Sequence, residues 1–357
     1  MAKEEIDRIL VKQLETGRTP SVQYIIFNKD GVIHRFHSGL ADIQNNKSIS
    51  EKTTYNTYSV TKTFTSLAVM QLAEQEKLDI DQSFKKYLSG FPYSSEITIR
   101  QVMTHSAGIP NPIPLNWIHL ADEHWSFNRN EYFSNIFIKH NKPKSKPGEK
   151  FSYSNLGYVL LGQLIEEVSG LSYEDYIREN ILQVLDIKPD EQDFKINDIS
   201  LRAKGYHRRY SISNAFLGLL IDRSKYVNTT EGKWISIRNS YVNGASYGGL
   251  IGTADAFRRY LQELLKPDCR LISDDYKKMI FTENYTDNNK GTGMCLSWFT
   301  GQLNGERYFA HAGGGFGYYC EIRIYPGAGT GSVIMFNRTG MTDERYLDKP
   351  DKYIISR

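Results

Sequence analysis

Ser59 and Lys62 stand three residues apart at the head of Thr61-Lys62-Thr63-Phe64-Thr65-Ser66-Leu67-Ala68-Val69-Met70. Residues three apart on a helix share a face, so a helix opening at Ser59 places the lysine amine beside the serine hydroxyl. A serine is a weak nucleophile until a base takes its proton, and a lysine held neutral by desolvation can serve as that base. A helix start adds unpaired N–H groups and the positive end of the helix dipole next to the reacting oxygen. These are the parts of an acyl-transfer site. The spacing alone says little, because Ser83 and Lys86 repeat it in the polar run Asp81-Gln82-Ser83-Phe84-Lys85-Lys86, which reads as a solvated turn. Ser59 differs in the residues on its C-terminal side. Phe64, Leu67, Ala68, Val69, Leu72 and Ala73 cover more than one helix face, the pattern of a buried helix, and a buried lysine needs a reason.

Two further groups could complete such a site. Tyr153 and Asn155 lie in a loop that leads into a helical pattern, and His311-Ala312-Gly313-Gly314 ends a strand-like run. A serine nucleophile needs a proton acceptor, donors for an oxyanion and polar groups that orient the substrate. Singly these elements are weak: Y-x-N recurs at Tyr226/Asn228 and Tyr241/Asn243, and H-x-G recurs at His37/Gly39. His105, before a Gly-Pro loop, reads as a structural hydrogen-bonding residue rather than a catalyst. The histidines show no H-E-x-x-H or comparable spacing and no phosphate-cradling glycine loop occurs, so neither a metal nor another cofactor is expected.

The scaffold around these groups can be read from periodicity. Residues 4 to 16 carry Ile6, Ile9, Leu10 and Leu14 at helical spacing, with Gly17 as a stop. Val22 to Phe27 and Val32 to Leu40 read as strands joined by Asn28-Lys29-Asp30-Gly31, a strong hairpin signal. The helix from Ser59 runs to about Gln75. From about Leu78 to Val242 the texture changes to helices and loops. Ile97 to Met103 reads as a short helix, the aromatic stretch 111 to 132 as a lid, and Val159 to Val168 as a helix stopped by Gly170. A second helix spans Tyr173 to Leu182, and the poorly periodic residues 203 to 243 are expected to cover a site. Thr253 reads as the N-cap of a helix from Asp255 to Leu265. The last quarter offers strands at Met294 to Thr300, Arg307 to Ala312, Tyr318 to Tyr325 and Ser332 to Asn337. Turns at Asn304-Gly305 and Pro326-Gly327 make them an antiparallel meander. The expected architecture is α/β, of the α+β type. Residues 1–77 plus 244–357 form a discontinuous sheet domain, and 78–243 form a mostly helical domain with substrate-covering loops.

At 357 residues the chain can bury a sizeable core. A net charge of +3 without a long basic run disfavours nucleic acid or an anionic membrane as partner. Cys269, Cys295 and Cys320 match no metal spacing and read as reduced. No apolar leader and no run of membrane-spanning length is present, so a soluble chain is expected, cytoplasmic as given or extracytoplasmic if it is a mature form.

In order, Ser59-Val60-Thr61-Lys62, Tyr153-Ser154-Asn155 and His311-Ala312-Gly313 match S-x-x-K, Y-x-N and the H-x-G variant of K-T-G. Flanked by Thr104-His105-Ser106-Ala107-Gly108, Pro147-Gly148-Glu149-Lys150-Phe151 and Gly248-Gly249-Leu250-Ile251-Gly252-Thr253-Ala254-Asp255, the sequence resembles the serine β-lactamase and penicillin-binding protein superfamily. Within it the chain is similar to the class C β-lactamase-like branch of DD-peptidase, D-aminopeptidase and esterase relatives, from about residue 4 to about residue 340. The resemblance implies a β-lactamase/transpeptidase-like fold with an antiparallel five-stranded-type sheet flanked by helices. It also implies a serine hydrolase that cleaves an amide or ester through a covalent acyl-enzyme. A β-lactamase is the alternative within that class; a non-catalytic penicillin-binding or sensing relative is the alternative from another.

By the same resemblance, Ser59 is acylated, and Lys62 and Tyr153 share the proton transfers, with the base left open between them. Asn155, His311 and Gly313 are the implied substrate-binding residues, and the backbone N–H groups of Ser59 and Gly314 the implied oxyanion hole. Implied partners are a small molecule, D-amino-acid peptide or ester, with β-lactams as acylating ligands. Two departures stand out. His311 occupies a place where many relatives have lysine, so any help to a substrate carboxylate should depend on pH. Met341 to Arg357 is charged and Pro-broken where relatives usually have a C-terminal helix on the sheet, so that helix is short here or the N-terminal helix covers the face.

Overall fold

The computed structural model describes residues 1–114, 117–211, 222–339 and 345–355. Helix α1 (Ala2–Glu15) leads into the hairpin of β1 (Ser21–Asn28) and β2 (Val32–Asp42), and β3 (Lys47–Ser48) extends its edge. The Asn28 side chain closes the hairpin turn by accepting from the N–H groups of Asp30 and Gly31. The last quarter supplies β4 (Phe299–Leu303), β5 (Glu306–Gly315), β6 (Tyr318–Tyr325) and β7 (Thr330–Phe336). All seven form one antiparallel sheet in the order β4-β5-β6-β7-β1-β2-β3, an edge strand wider on each side than the five expected. The two ends of the chain meet at its centre, where β1 pairs with β7 from Val22↔Phe336 to Asn28↔Thr330. β6 and β7 are buried along their whole length, which is why they read as continuous rather than alternating strands.

One face of the sheet is covered by α1 together with a short helix, Asp348–Asp351, resolving the C-terminal departure in favour of both options at once. Ile6 and Leu10 pack with Val22, Tyr24, Phe336 and Leu347. Buried Asp351 fastens the short helix by accepting from the hydroxyls of Tyr24 (2.8 Å), Tyr325 (2.9 Å) and Ser332 (2.5 Å).

On the opposite face lie α2 (Thr61–Glu74), α3 (Asn155–Ser169) and α4 (Ala254–Leu265). Every residue from Thr61 to Ala73 is buried, in keeping with the sequence pattern. α4 packs across β1 and β7 and presents Phe257 and Tyr260 to Phe64 of α2, while α3 packs on α2. Thr253 caps α4, accepting from the N–H of Ala256 at 3.1 Å.

The middle of the chain departs furthest from the expectation. The stretch 203 to 243 holds a three-stranded sheet of Gly205–Arg208, Trp234–Ile237 and Val227–Glu231; residues 212 to 221 lie outside the described residues. The stretch 111 to 132 holds a strand, Ile118–Leu120, paired with Ser240–Val242, then a 3-10 turn and the start of a helix at Arg129. The helix from Tyr173 ends in a π turn over Arg178–Leu182. The strand expected over Met294 to Thr300 begins only at Phe299, because Cys295 to Trp298 closes a tight turn (Cys295 N–H to Trp298 O, 2.7 Å) with Ser297 in the left-handed region at φ 70°. No helix among the described residues is long and apolar enough to cross a membrane.

Candidate active site

Ser59 sits in a single 3-10 turn, Tyr58–Val60, and α2 proper starts at Thr61. The nucleophile candidate is thus one short turn ahead of the helix rather than its first residue. Val60 and Thr61 already have helical backbone angles, so Lys62 still falls one turn on from Ser59. Tyr58, just before Ser59, has φ 46°. A bulky residue there costs of order 1–3 kcal/mol and persists only where its surroundings over-determine it.

Nζ of Lys62 lies 2.9 Å from Oγ of Ser59 and donates to the carbonyl oxygen of Tyr247 at 2.8 Å. The side chain is fully buried, with Nζ 5.0, 5.4 and 5.5 Å from the ring centres of Tyr153, Tyr158 and Tyr247. Burial alone pushes its pKa well below the ordinary lysine value, and no carboxylate among the described residues pairs with it. The hydroxyl of Tyr153 donates to Oγ of Ser59 at 2.8 Å. Ser59, Lys62 and Tyr153 therefore converge on one oxygen, whereas Lys86 of the second S-x-x-K spacing is exposed.

The loop that aims Tyr153 is tied down on both sides. Ser152 N–H donates to the carbonyl of His105 at 2.7 Å and Ser154 N–H to Nδ1 of His105 at 3.1 Å. Ser154 Oγ caps α3 by accepting from Gly157 N–H and itself donates to Pro110 O. The ring of His105 lies 4.2 Å from that of Tyr153, tilted by 36°. Asn155 opens α3, its N–H on Oδ1 of Asn111 and its own Oδ1 buried without a hydrogen-bond partner.

β5 brings the third group. β4 pairs with it only from Leu303↔Glu306 to Phe299↔Ala310, leaving residues 311 to 315 with an open edge. A Cβ on Gly313 would stand 2.1 Å from Thr57 O and 2.6 Å from Ser59 N, so only glycine lets the strand lie against the nucleophile turn. His311 is buried and its Nδ1 donates to the carbonyl of Ser297 at 2.7 Å. Burial first, and the Lys62 charge second, push its pKa down to about 3. Held down in this way the imidazole favours its uncharged form through the neutral range, so the pH dependence expected of His311 moves to the acid side.

Beside Ser59 opens an apolar cavity of about 210 Å³, walled by Trp117, Ile118, Ile237, Val242 and Phe316, with Tyr58, Gly314 and Gly315 on the Ser59 side. Sequence reasoning missed the Tyr247 carbonyl, which holds Lys62, and Ser297, which orients His311. Both act through backbone oxygens, which have no residue signature; the glycines around Tyr247 were the one hint of it.

A family model described as Beta-lactamase matches residues 6–353. The chain is similar to Protein flp of Staphylococcus aureus (strain MW2), 30% identical over 194 residues that cover 52% of this chain and 38% of that protein. It thus spans well under half the length of the curated relatives it first matches. Its fold is similar to that of the octameric penicillin-binding protein homologue from Pyrococcus abyssi (TM-score 0.78, 22% identity, covering 99% of this chain and 79% of that one). It is likewise similar to that of the D-amino acid amidase from Ochrobactrum anthropi SV3 (TM-score 0.75, 17% identity, 98% and 97% covered). With a matching family model over nearly its whole length and a mixed α/β fold shared with these structures, the chain belongs to the beta-lactamase family.

Proposed function

We propose that the protein is a serine hydrolase that works through a covalent acyl-enzyme, cleaving an amide or ester whose acyl group is apolar and whose leaving side carries no carboxylate. The observation that carries this reading is the convergence of Lys62 Nζ (2.9 Å) and Tyr153 OH (2.8 Å) on Oγ of Ser59. A lysine amine held neutral has a lone pair, and with one N–H on Tyr247 O it is aligned to take the Ser59 proton as Oγ attacks the carbonyl carbon. The N–H groups of Ser59 and Gly314 receive the developing oxyanion. Tyr153 gives its hydroxyl proton to the departing nitrogen or oxygen, and the ammonium of Lys62 restores it. Water then repeats the sequence on the acyl-enzyme. Asn155 and the open edge of β5 at Gly313 orient the substrate.

The substrate class follows from charge and shape. A carboxylate on the leaving side would meet the neutral His311 where a cation would be needed, which ranks uncharged amides and esters above β-lactams and carboxy-terminal peptides. The apolar cavity beside Ser59 suits an aliphatic or aromatic acyl group. The test is to incubate wild type and Ser59→Ala with p-nitrophenyl butyrate, an apolar D-amino-acid amide, a D-Ala-D-Ala peptide and a β-lactam, following product and intact mass. The reading expects Ser59-dependent turnover of the ester or amide, with an acyl adduct on wild type alone. No adduct and no turnover with any of the four overturns it; fast Ser59-dependent turnover of the β-lactam alone replaces it with a β-lactamase.

A further inference from the structure

His105 and His311 are both buried, and the contact each Nδ1 makes fixes its tautomer. Nδ1 of His105 faces the backbone nitrogen of Ser154 at 3.1 Å. An N–H can only donate, so this Nδ1 is an acceptor and the ring proton sits on Nε2. Nδ1 of His311 faces the carbonyl oxygen of Ser297 at 2.7 Å. A carbonyl can only accept, so here the proton sits on Nδ1 and Nε2 keeps its lone pair. One ring thus presents a buried Nε2–H with no acceptor and the other a buried Nε2 lone pair with no donor. Buried polar groups left in that state are rare, and these two are complementary.

The rings also share one aromatic enclosure. His105 lies 4.2 Å from the Tyr153 ring and 5.8 Å from Phe151; His311 lies 5.4 Å from Phe299; Phe151 meets Phe299 at 6.1 Å and closes the outer side. Burial first, then a charge on Lys62 or on His311, disfavours a charge on His105. We propose that His105 is a positioning residue of the site: its Nε2–H donates through one shared water to Nε2 of His311. This bridge fixes His311 as a neutral ring under the strand that carries Gly313, while the ring of His105 braces Tyr153. Nε2 of His311 is then engaged inside the protein, and the substrate's polar contacts fall to Asn155 and the backbone edge of β5. The role in catalysis rests on the serine hydrolase reading; the water bridge does not.

The test is a histidine ring ¹⁵N–¹H correlation spectrum of the full chain, assigned with His105→Gln and His311→Gln. Opposite tautomers are expected in the wild type, Nε2–H for His105 and Nδ1–H for His311. In His105→Phe, which keeps an aromatic face but loses the donor, the His311 Nε2 resonance should move and acylation of Ser59 should slow by about tenfold. In His105→Gln, whose amide can donate from a similar place, both should return most of the way. The same tautomer on both rings of the wild type overturns the proposal even if a variant fails to fold. So does an unmoved His311 Nε2 resonance in a folded His105→Phe. The spectra need no substrate, so they stand or fall apart from the hydrolase reading, which fails on its own if no Ser59-dependent turnover is found.

Discussion

Gly313 and Ser59 meet backbone to backbone: a Cβ at 313 would stand 2.6 Å from the Ser59 nitrogen, closer than real Cβ atoms come. The contact ties the open edge of β5 to the turn that presents the nucleophile. Gly314, the next residue, has nothing nearer than 3.6 Å to an added Cβ. Neighbouring glycines should therefore behave differently. Gly313→Ala forces strand and turn apart, costing about 1–3 kcal/mol of stability, and should slow acylation by about 10²-fold through the displaced Ser59. Gly314→Ala should stay within about 0.5 kcal/mol of wild type. Thermal midpoints and labelling by a serine-reactive fluorophosphonate read both; equal tolerance at the two positions would contradict the contact.

Lys62 links the site to pH in a way that can be signed. In the unfolded chain a lysine titrates near 10.4; in the fold, burial lowers the value well below that. Between the two values the unfolded state binds a proton that the folded state does not, so stability rises with pH across that window. Lys62→Met removes the linkage. Its stability relative to wild type should be most favourable at the acid end of the window and should shrink towards pH 10, with a slope of up to about 1.4 kcal/mol per pH unit. Urea unfolding of both proteins from about pH 6 to 10 measures it. Wild-type acylation should have its acid limb at the lowered value and be flat near the ordinary lysine value. A rate still climbing through pH 10 would mean that Lys62 is charged in the working enzyme.

Tyr153 reaches Ser59 through its hydroxyl, and its ring lies 4.2 Å from that of His105. Tyr153→Phe keeps the ring contact and removes the proton donor. Acylation should fall by about 10²-fold or more, with a stability change of about 0.5–1.5 kcal/mol, the worth of one hydrogen bond. Rapid-mixing measurement of p-nitrophenol release separates the acylation burst from later turnover. A burst of wild-type rate would take the phenol out of the mechanism.

How much of this was legible in the sequence depended on whether a feature was carried by side chains. Ser59, Lys62, Tyr153 and His311 could be singled out because their order along the chain is distinctive, and the structure brings the first three together. α2 was found because its apolar residues cover all faces, and β6 residue for residue because turns bound a continuous apolar run. Cys295, Leu296 and Trp298 misled for the same reason: they are apolar because the core surrounds them, not because the chain is extended there. Trp234 to Ile237 is buried at every position and carries no period of two, so its small sheet left no signal. The downward shift of the His311 pKa was out of reach, since it depends on depth rather than identity.

The cavity walled by Trp117, Ile118, Ile237, Val242 and Phe316 makes the acyl preference measurable. Each methylene moved from water into such a space is worth about 0.8 kcal/mol, or roughly fourfold in kcat/KM. A series of p-nitrophenyl esters from acetate upward should therefore gain about fourfold per carbon until the cavity is full, then level or fall. Ile237 lies on the strand Trp234–Ile237 in the cavity wall, buried and in none of the hydrogen bonds that hold the nucleophile. Ile237→Asp places a carboxylate in that wall, which would have to be dehydrated by an entering alkyl chain. The gain per carbon should collapse in this variant while turnover of the acetate ester, which has no alkyl chain to bury, stays within a few fold of wild type. A parallel drop for all esters would point to a damaged fold. An undiminished gain would place the acyl group elsewhere along the open edge of β5.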